Sequence, residues 1–250
     1  MKKRNVLGIL GGLGPMATVY FYEMLTSHTM ADRDQDHLDI IITSRATTPD
    51  RTAFITGKSG QSPLPAMISE ARRLQRAGAD IIVMPCNTAH YFYDEIRRCL
   101  SVPMLDIIGE TVGFCRKRGM KRVGLMATEG TVMTGSYEKR AEGLQVEIVT
   151  PSAASQKLIN EIIYDEIKRN LPADREKFMY AAGELRDKGC ETLILGCTEL
   201  SLVKKQEKLG SFYTDSLEVL AMSAISACGK EYIDFNYDLR TAETGKPRHS

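Results

Sequence analysis

The chain has 250 residues, 43% hydrophobic and 26% charged, with 33 basic and 32 acidic side chains and a formal charge of +1. That is an ordinary globular composition, long enough for one large or two small domains. No Lys/Arg-rich stripe extends beyond short helical faces such as Arg72-Arg73 and Lys204-Lys205, so the sequence gives no support for the broad basic surface that nucleic acids or anionic membranes require.

Taken in order, Lys2, Lys3 and Arg4 precede an apolar run that superficially resembles a signal peptide. Gly8, Gly11, Gly12, Gly14 and Pro15 break the run, so a buried strand over 6–10 followed by a glycine turn fits better. No stretch reaches the roughly 18 apolar residues of a membrane span, and the expected location is the cytoplasm. Further strand-like runs cover 38–43, 81–84, 104–107, 122–126, 146–149 and 192–195. Helical spacing fills the gaps, as with Met67, Ala71, Leu74 and Ala77 before Gly78. Short apolar strands alternating with helices predict an α/β fold with mainly parallel sheets. Leu217, Leu220, Ala221, Ala224 and Cys228 predict a helical return segment, and 236–250 reads as a tail outside the core.

The six cysteines show no C-x-x-C spacing, so zinc and redox motifs lack support and free thiols are expected. Two of them belong to an internal repeat. Residues 77–88 read AGADIIVMPCNT and 188–199 read KGCETLILGCTE. Each has a glycine, a strand, and a cysteine eight residues beyond the glycine. VLGILGGLG at 6–14 and RVGLMATEG at 122–130 repeat at a similar offset. Two pseudo-symmetric α/β halves are implied: 1–103 with about 211–235, and 104–210, with a cleft between them.

In parallel sheets, ligands bind beyond the carboxyl ends of the strands, where Cys86 and Cys197 fall. Each precedes good helix-start residues, Asn87-Thr88 and Thr198-Glu199. A helix N-terminus favours thiolate over thiol, so both cysteines are expected to have depressed pKa values. Two sulfurs on opposite sides of one cleft suit racemisation, which removes a proton from one face of a carbon and delivers one to the other. Asn87, Thr88 and Thr198 are candidates to hold an α-carboxylate and the developing negative charge. A structural reading of either cysteine alone is reasonable; at matched repeat positions it explains less.

The chain resembles the aspartate/glutamate racemase family, and within it the aspartate racemases. The resemblance rests on GGLGPMAT at 11–18, PDRTAFI at 49–55, PCNTAH at 85–90, ATEGT at 127–131, IIYDEIK at 162–168 and LGCTEL at 195–200. It implies two α/β halves about a pseudo-twofold axis, a homodimer, catalytic Cys86 and Cys197, no cofactor and no metal. Carried over by motif, it places Asp50, Arg51, Thr131, Tyr164 and Lys168 at the substrate. Arg51 and Lys168 would take a side-chain carboxylate, and Asp50 would pair with Lys168 or the nearby thiol. Relatives of the glutamate racemase type carry an Asp-Ser pair in the first glycine loop, where this chain has Gly11-Gly12-Leu13-Gly14. The expected activity is therefore interconversion of L- and D-aspartate, with glutamate one methylene away.

Three other readings compete. Gly12, Gly14 and Ala17 satisfy a dinucleotide fingerprint, and Ser44-Arg45 would suit a 2′-phosphate, so an NADP-dependent oxidoreductase is one. A non-catalytic small-acid-binding protein is another, and neither explains the paired cysteines. Related cysteine-dependent enzymes, such as hydantoin racemases, maleate isomerases and decarboxylases, share the cleft logic but generally lack PDRT and IIYDEIK.

Overall fold

The computed structural model describes residues 5–233 and 235, so the expected tail at 236–250 lies outside the described residues. The apolar runs form two parallel sheets. In the first, β1 (Val6–Gly11) lies between β2 (Asp39–Ser44) and β3 (Ile81–Val83). In the second, β4 (Arg122–Met126) lies between β5 (Glu147–Val149) and β6 (Thr192–Leu195), with β7 (Tyr213–Asp215) beyond β6. Leu7 pairs with Ile40 and Ile81, and Val123 with Ile148 and Thr192. The central strand and its two neighbours follow the same order in both sheets, which is the topology the repeat predicts. β3 and β6 are buried along their whole length, hence their continuous apolar sequence.

The helices in chain order are α1 (Pro15–His28), α2 (Arg51–Ile55), α3 (Leu64–Arg76), α4 (Tyr93–Arg98), α5 (Ile107–Lys117) and α6 (Glu129–Met133). Then come α7 (Ser136–Ala141), α8 (Ala153–Glu161), α9 (Arg175–Asp187), α10 (Thr198–Glu207) and α11 (Ser216–Ala227). None of the described helices is long and apolar enough to cross a membrane.

Two expectations need correction at the strand that follows β3 or β6. The run at 104–107 is not a strand; Met104 makes a single parallel bridge to Ile82. Asp106 then accepts from the Ile108 and Gly109 amides and starts α5, which ends any extension. The equivalent piece of the second half is β7, assigned from sequence to the first half. Its residues, Tyr-Thr-Asp, carry no apolar run, yet they pair with Leu193–Leu195 of β6. Asp215 caps α11 as Asp106 caps α5.

After these caps the two helices exchange sides. α5 packs on α7 and β7, α11 packs on α1 and β3, and α5 and α11 pack on each other. One apolar core therefore joins both halves, containing Leu7, Ile9, Val112, Val123, Leu125 and Leu220. The loops beyond β1, β3, β4 and β6 meet at one pocket, to which they bring Leu13, Cys86, Thr128 and Cys197.

The first of those loops needs glycine. Gly12 has φ +80°, and a Cβ there would collide with the Arg45 backbone. Gly12→Ala should destabilise the protein by about 1–3 kcal/mol in urea unfolding, from strain and backbone collision together. Gly113, within α5, has open space around its absent Cβ, so Gly113→Ala should stabilise by about 0.5–1 kcal/mol in the same assay.

Candidate active site

Cys86 lies just past β3 and Cys197 is the residue before α10; both are buried. They face one small inner pocket with Leu13, Asp50, Arg51, Asn87, Thr88, Tyr164, Lys168, Thr198 and Glu199. All the residues expected at the substrate line it except Thr131. The Thr131 hydroxyl instead forms a triangle with those of Thr88 and Thr128, at 2.9–3.0 Å. Thr88 and Thr128 both line the pocket, and Thr131 stands behind them. The triangle ties the loop after β3 to the cap of α6, and so one half to the other.

Asn87 makes a second tie. Its Nδ2 donates to Ser216 Oγ at 2.9 Å and its Oδ1 accepts from Tyr137 at 2.7 Å. Cys86 is followed by a single 3₁₀ turn, Thr88–Phe92, before α4 begins, so it lacks the long helix N-terminus expected for it. His90 in that turn is buried. The Ile107 amide donates to its Nε2 at 3.2 Å, so its Nδ1 carries the hydrogen and donates to the Cys86 carbonyl at 2.8 Å. Burial pulls the His90 pKa below its ordinary value, and this bridge holds the Cys86 backbone.

Arg51, the first residue of α2, is 7% exposed. Its guanidinium donates to the carbonyls of Leu13, Thr48 and Pro49. Its Nε is buried with no hydrogen-bond partner, a donor aimed at no protein acceptor. Burial disfavours its charge, but the Cys86 sulfur, Asp50 and Glu199 hold it above the ordinary arginine value. Asp50 corrects another expectation. It is the N-cap of α2, accepting from the Ala53 amide at 2.7 Å, and pairs with neither Lys168 nor a thiol.

The partner of Lys168 is Glu199, at 2.9 Å from Nζ to Oε1. The other oxygen of Glu199 accepts from Cys197 Sγ at 2.9 Å. Burial would raise the Glu199 carboxyl, but Lys168 and the Cys197 hydrogen bond hold it below the usual carboxylate range. Burial and then the Glu199 charge push Cys197 well above the ordinary thiol value, offset only in part by Lys168. The thiolate expected at this helix N-terminus is therefore a thiol, because the dipole is weaker than burial beside an anion.

Lys168 reaches the pocket by an irregular path. The motif segment after α8 is a single π turn, Ile162–Glu166, then a 3₁₀ turn, Ile167–Arg169. Such wide turns often lie at functional sites. Lys168 Nζ stands 5.3 Å from the Tyr164 ring centroid, so the two residues still adjoin. Burial also raises the Tyr164 hydroxyl pKa.

Glu199 went unassigned in the sequence, although the repeat marked it. It occupies the position equivalent to Thr88, so the two cysteines have different neighbours two residues on. Glu199 also explains Gly14, whose Cβ would lie 2.8 Å from Oε1. The glycines of the apparent dinucleotide loop thus accommodate the Arg45 backbone and the Glu199 carboxylate.

The inner pocket has a volume of about 10 Å³, roughly one water, so an amino acid enters only if its walls move. Outside lies a vestibule of about 410 Å³ bounded by Gly14, Met16, Thr48, Asn170 and Leu202. Asp50, Arg51, Lys168 and Glu199 face both spaces and form the partition.

A family model described as Asp/Glu/Hydantoin racemase matches residues 10–224. The chain is 29% identical over 225 residues to the broad specificity amino-acid racemase RacX of Bacillus subtilis, covering 88% of this chain and 97% of that protein. It is 32% identical over 162 residues to a glutamate racemase of Aquifex pyrophilus, 60% of this chain and 59% of that one. Among solved structures, Picrophilus torridus aspartate racemase superposes with TM-score 0.80 at 31% identity, covering 92% of this chain and 96% of that one.

The ion pair has a measurable consequence. Lys168→Met strands the buried Glu199 carboxylate and should cost about 3 kcal/mol in urea unfolding near pH 7. A carboxyl with a lowered folded pKa stabilises above its unfolded value and loses that contribution as pH falls through the folded one. The gap between parent and variant should therefore close below about pH 4.

Proposed function

The chain belongs to the Asp/Glu/hydantoin racemase family, and on that premise we propose that it is a cofactor-independent racemase of an acidic amino acid, aspartate foremost, with Cys86 and Cys197 as its two bases. The carrying observation is that equivalent positions after β3 and β6 bring both sulfurs to one enclosed pocket together with Arg51 and Lys168. The similarity to the Picrophilus aspartate racemase supports the choice of substrate.

One sulfur, as thiolate, removes the α-hydrogen while the other, as thiol, delivers a hydrogen to the opposite face; the roles reverse for the other enantiomer. The second hydrogen of Asn87 Nδ2 supplies a donor for the α-carboxylate and the charge that develops on it, joined by the hydroxyls of Thr88 and Thr198 once their hydrogens turn from the threonine triangle and from Glu199. The free Nε of Arg51 is the donor a side-chain carboxylate would satisfy. Lys168 joins it by exchanging part of its contact with Glu199.

A second reading, of wider substrate range, is supported by the near full-length similarity to RacX. One panel separates the two: single enantiomers of aspartate, glutamate, alanine and lysine in D₂O, followed by chiral chromatography and α-deuterium incorporation. Aspartate should invert fastest without added metal or pyridoxal phosphate; a preference for a neutral or basic substrate sinks the assignment. Arg51→Ala should lower kcat/KM for aspartate by about 30-fold or more, the usual cost of truncating one member of a buried charge pair, with little change for neutral substrates.

Cys86→Ser and Cys197→Ser should each abolish inversion, since one face loses its base. Each variant can still exchange the α-hydrogen of one enantiomer, and the two should favour opposite hands. Near-normal inversion by either folded variant contradicts the two-base mechanism.

A further inference from the structure

The two thiols are not equivalent. Cys86 is followed two residues later by Thr88, whose hydroxyl is engaged with Thr128 and Thr131. Cys197 is followed by Glu199, whose Oε2 lies 2.9 Å from its sulfur. Cys197 is 5% exposed and has no vestibule surface of its own, whereas Glu199 lines both the inner pocket and the vestibule. The carboxylate is thus placed between a buried sulfur and the space that opens to solvent. Its charged neighbours are Lys168, on Oε1, and Arg51, with Tyr164 beside Lys168.

Resting on the racemase reading above, we propose that Glu199 is a catalytic residue that carries protons between the vestibule and Cys197, a path that Cys86 lacks. The step balances without any change of oxidation state. After Cys197 has delivered its hydrogen, its sulfur is a thiolate beside an anion, an unfavourable pair. A hydronium or buffer acid in the vestibule gives a proton to the Glu199 carboxylate. That O–H bond then breaks as the S–H bond re-forms, and the carboxylate is regenerated. Run backwards, the same transfer makes Cys197 the thiolate base, with its proton leaving through Glu199.

Two measurements test this with Glu199→Gln, which keeps the side-chain shape, and Glu199→Met should the first fail to fold. In a Cys86→Ser background, iodoacetamide alkylation of Cys197 is followed by peptide mass spectrometry from about pH 6 to about pH 10. Removing the carboxylate should shift the profile down by about one unit and speed alkylation near neutrality about tenfold. An unmoved profile in a folded variant overturns the coupling. In the otherwise intact enzyme, α-deuterated aspartate is supplied as each enantiomer in ordinary water. Wash-out of deuterium from unconverted substrate, relative to inversion, should fall several-fold for the enantiomer that Cys197 deprotonates and stay constant for the other. Equal change for both enantiomers, or for neither, overturns the relay. A parent that inverts no amino acid would fail the racemase reading itself, while the alkylation profile would still decide whether Glu199 controls Cys197.

Discussion

The contact on which the rest of this site depends is the short chain Lys168–Glu199–Cys197. A carboxylate with a side chain 7% exposed is costly to desolvate, and it stays charged here because an ammonium and a thiol hydrogen meet its two oxygens. Much of the surrounding backbone serves that contact. Gly14 leaves room for the carboxylate. The π and 3₁₀ turns after α8 deliver the lysine. Loosening any of these exposes the buried carboxylate and changes the protonation of a reactive sulfur at the same time.

The fold turns a near-symmetric frame into an asymmetric site. Strand order, capping aspartates and cysteine position repeat in the two halves. Differences accumulate in the side chains that follow each cysteine. Around Cys86 they are neutral: a hydroxyl triangle, an amide held between Tyr137 and Ser216, and an imidazole bridging Cys86 to α5. Around Cys197 they are ionic. Neutral networks of this kind rigidify; the charge beside Cys86 comes from elsewhere, from the Arg51 cation, whereas Cys197 meets the Glu199 anion. A reaction with two mirror-related directions can then be served by chemically different partners.

The same arrangement bears on entry to the inner pocket. The groups that would greet an acidic substrate, Arg51 and Lys168, also form the partition between vestibule and inner pocket. Lys168 is already satisfied by Glu199, so binding another carboxylate is an exchange of partners more than the filling of an empty charge site. Such an exchange would cost less than exposing a bare ammonium, and on the racemase reading it would couple admission of substrate to the environment of Cys197.

What the sequence by itself determined was whatever depends on local pattern and on repetition. Continuous apolar runs located the central strands, because strands buried on both faces cannot alternate. The spacing of the repeat singled out Cys86 and Cys197 among six cysteines, and motif resemblance collected most of the pocket residues. What only the tertiary structure decided was which groups meet. β7 has no apolar signature and exists because β6 offers it an unpaired edge. Asp50 sits beside Arg51 in sequence yet serves as a helix cap, accepting from an amide in the first turn of α2. Glu199 reads as an ordinary first-turn acid, and its meeting with Lys168 joins residues from separate segments of the second half. The Cys197 thiol had its protonation reversed by burial and by that one anion, and desolvation belongs to the packed molecule, with no signature in the residues that precede or follow it.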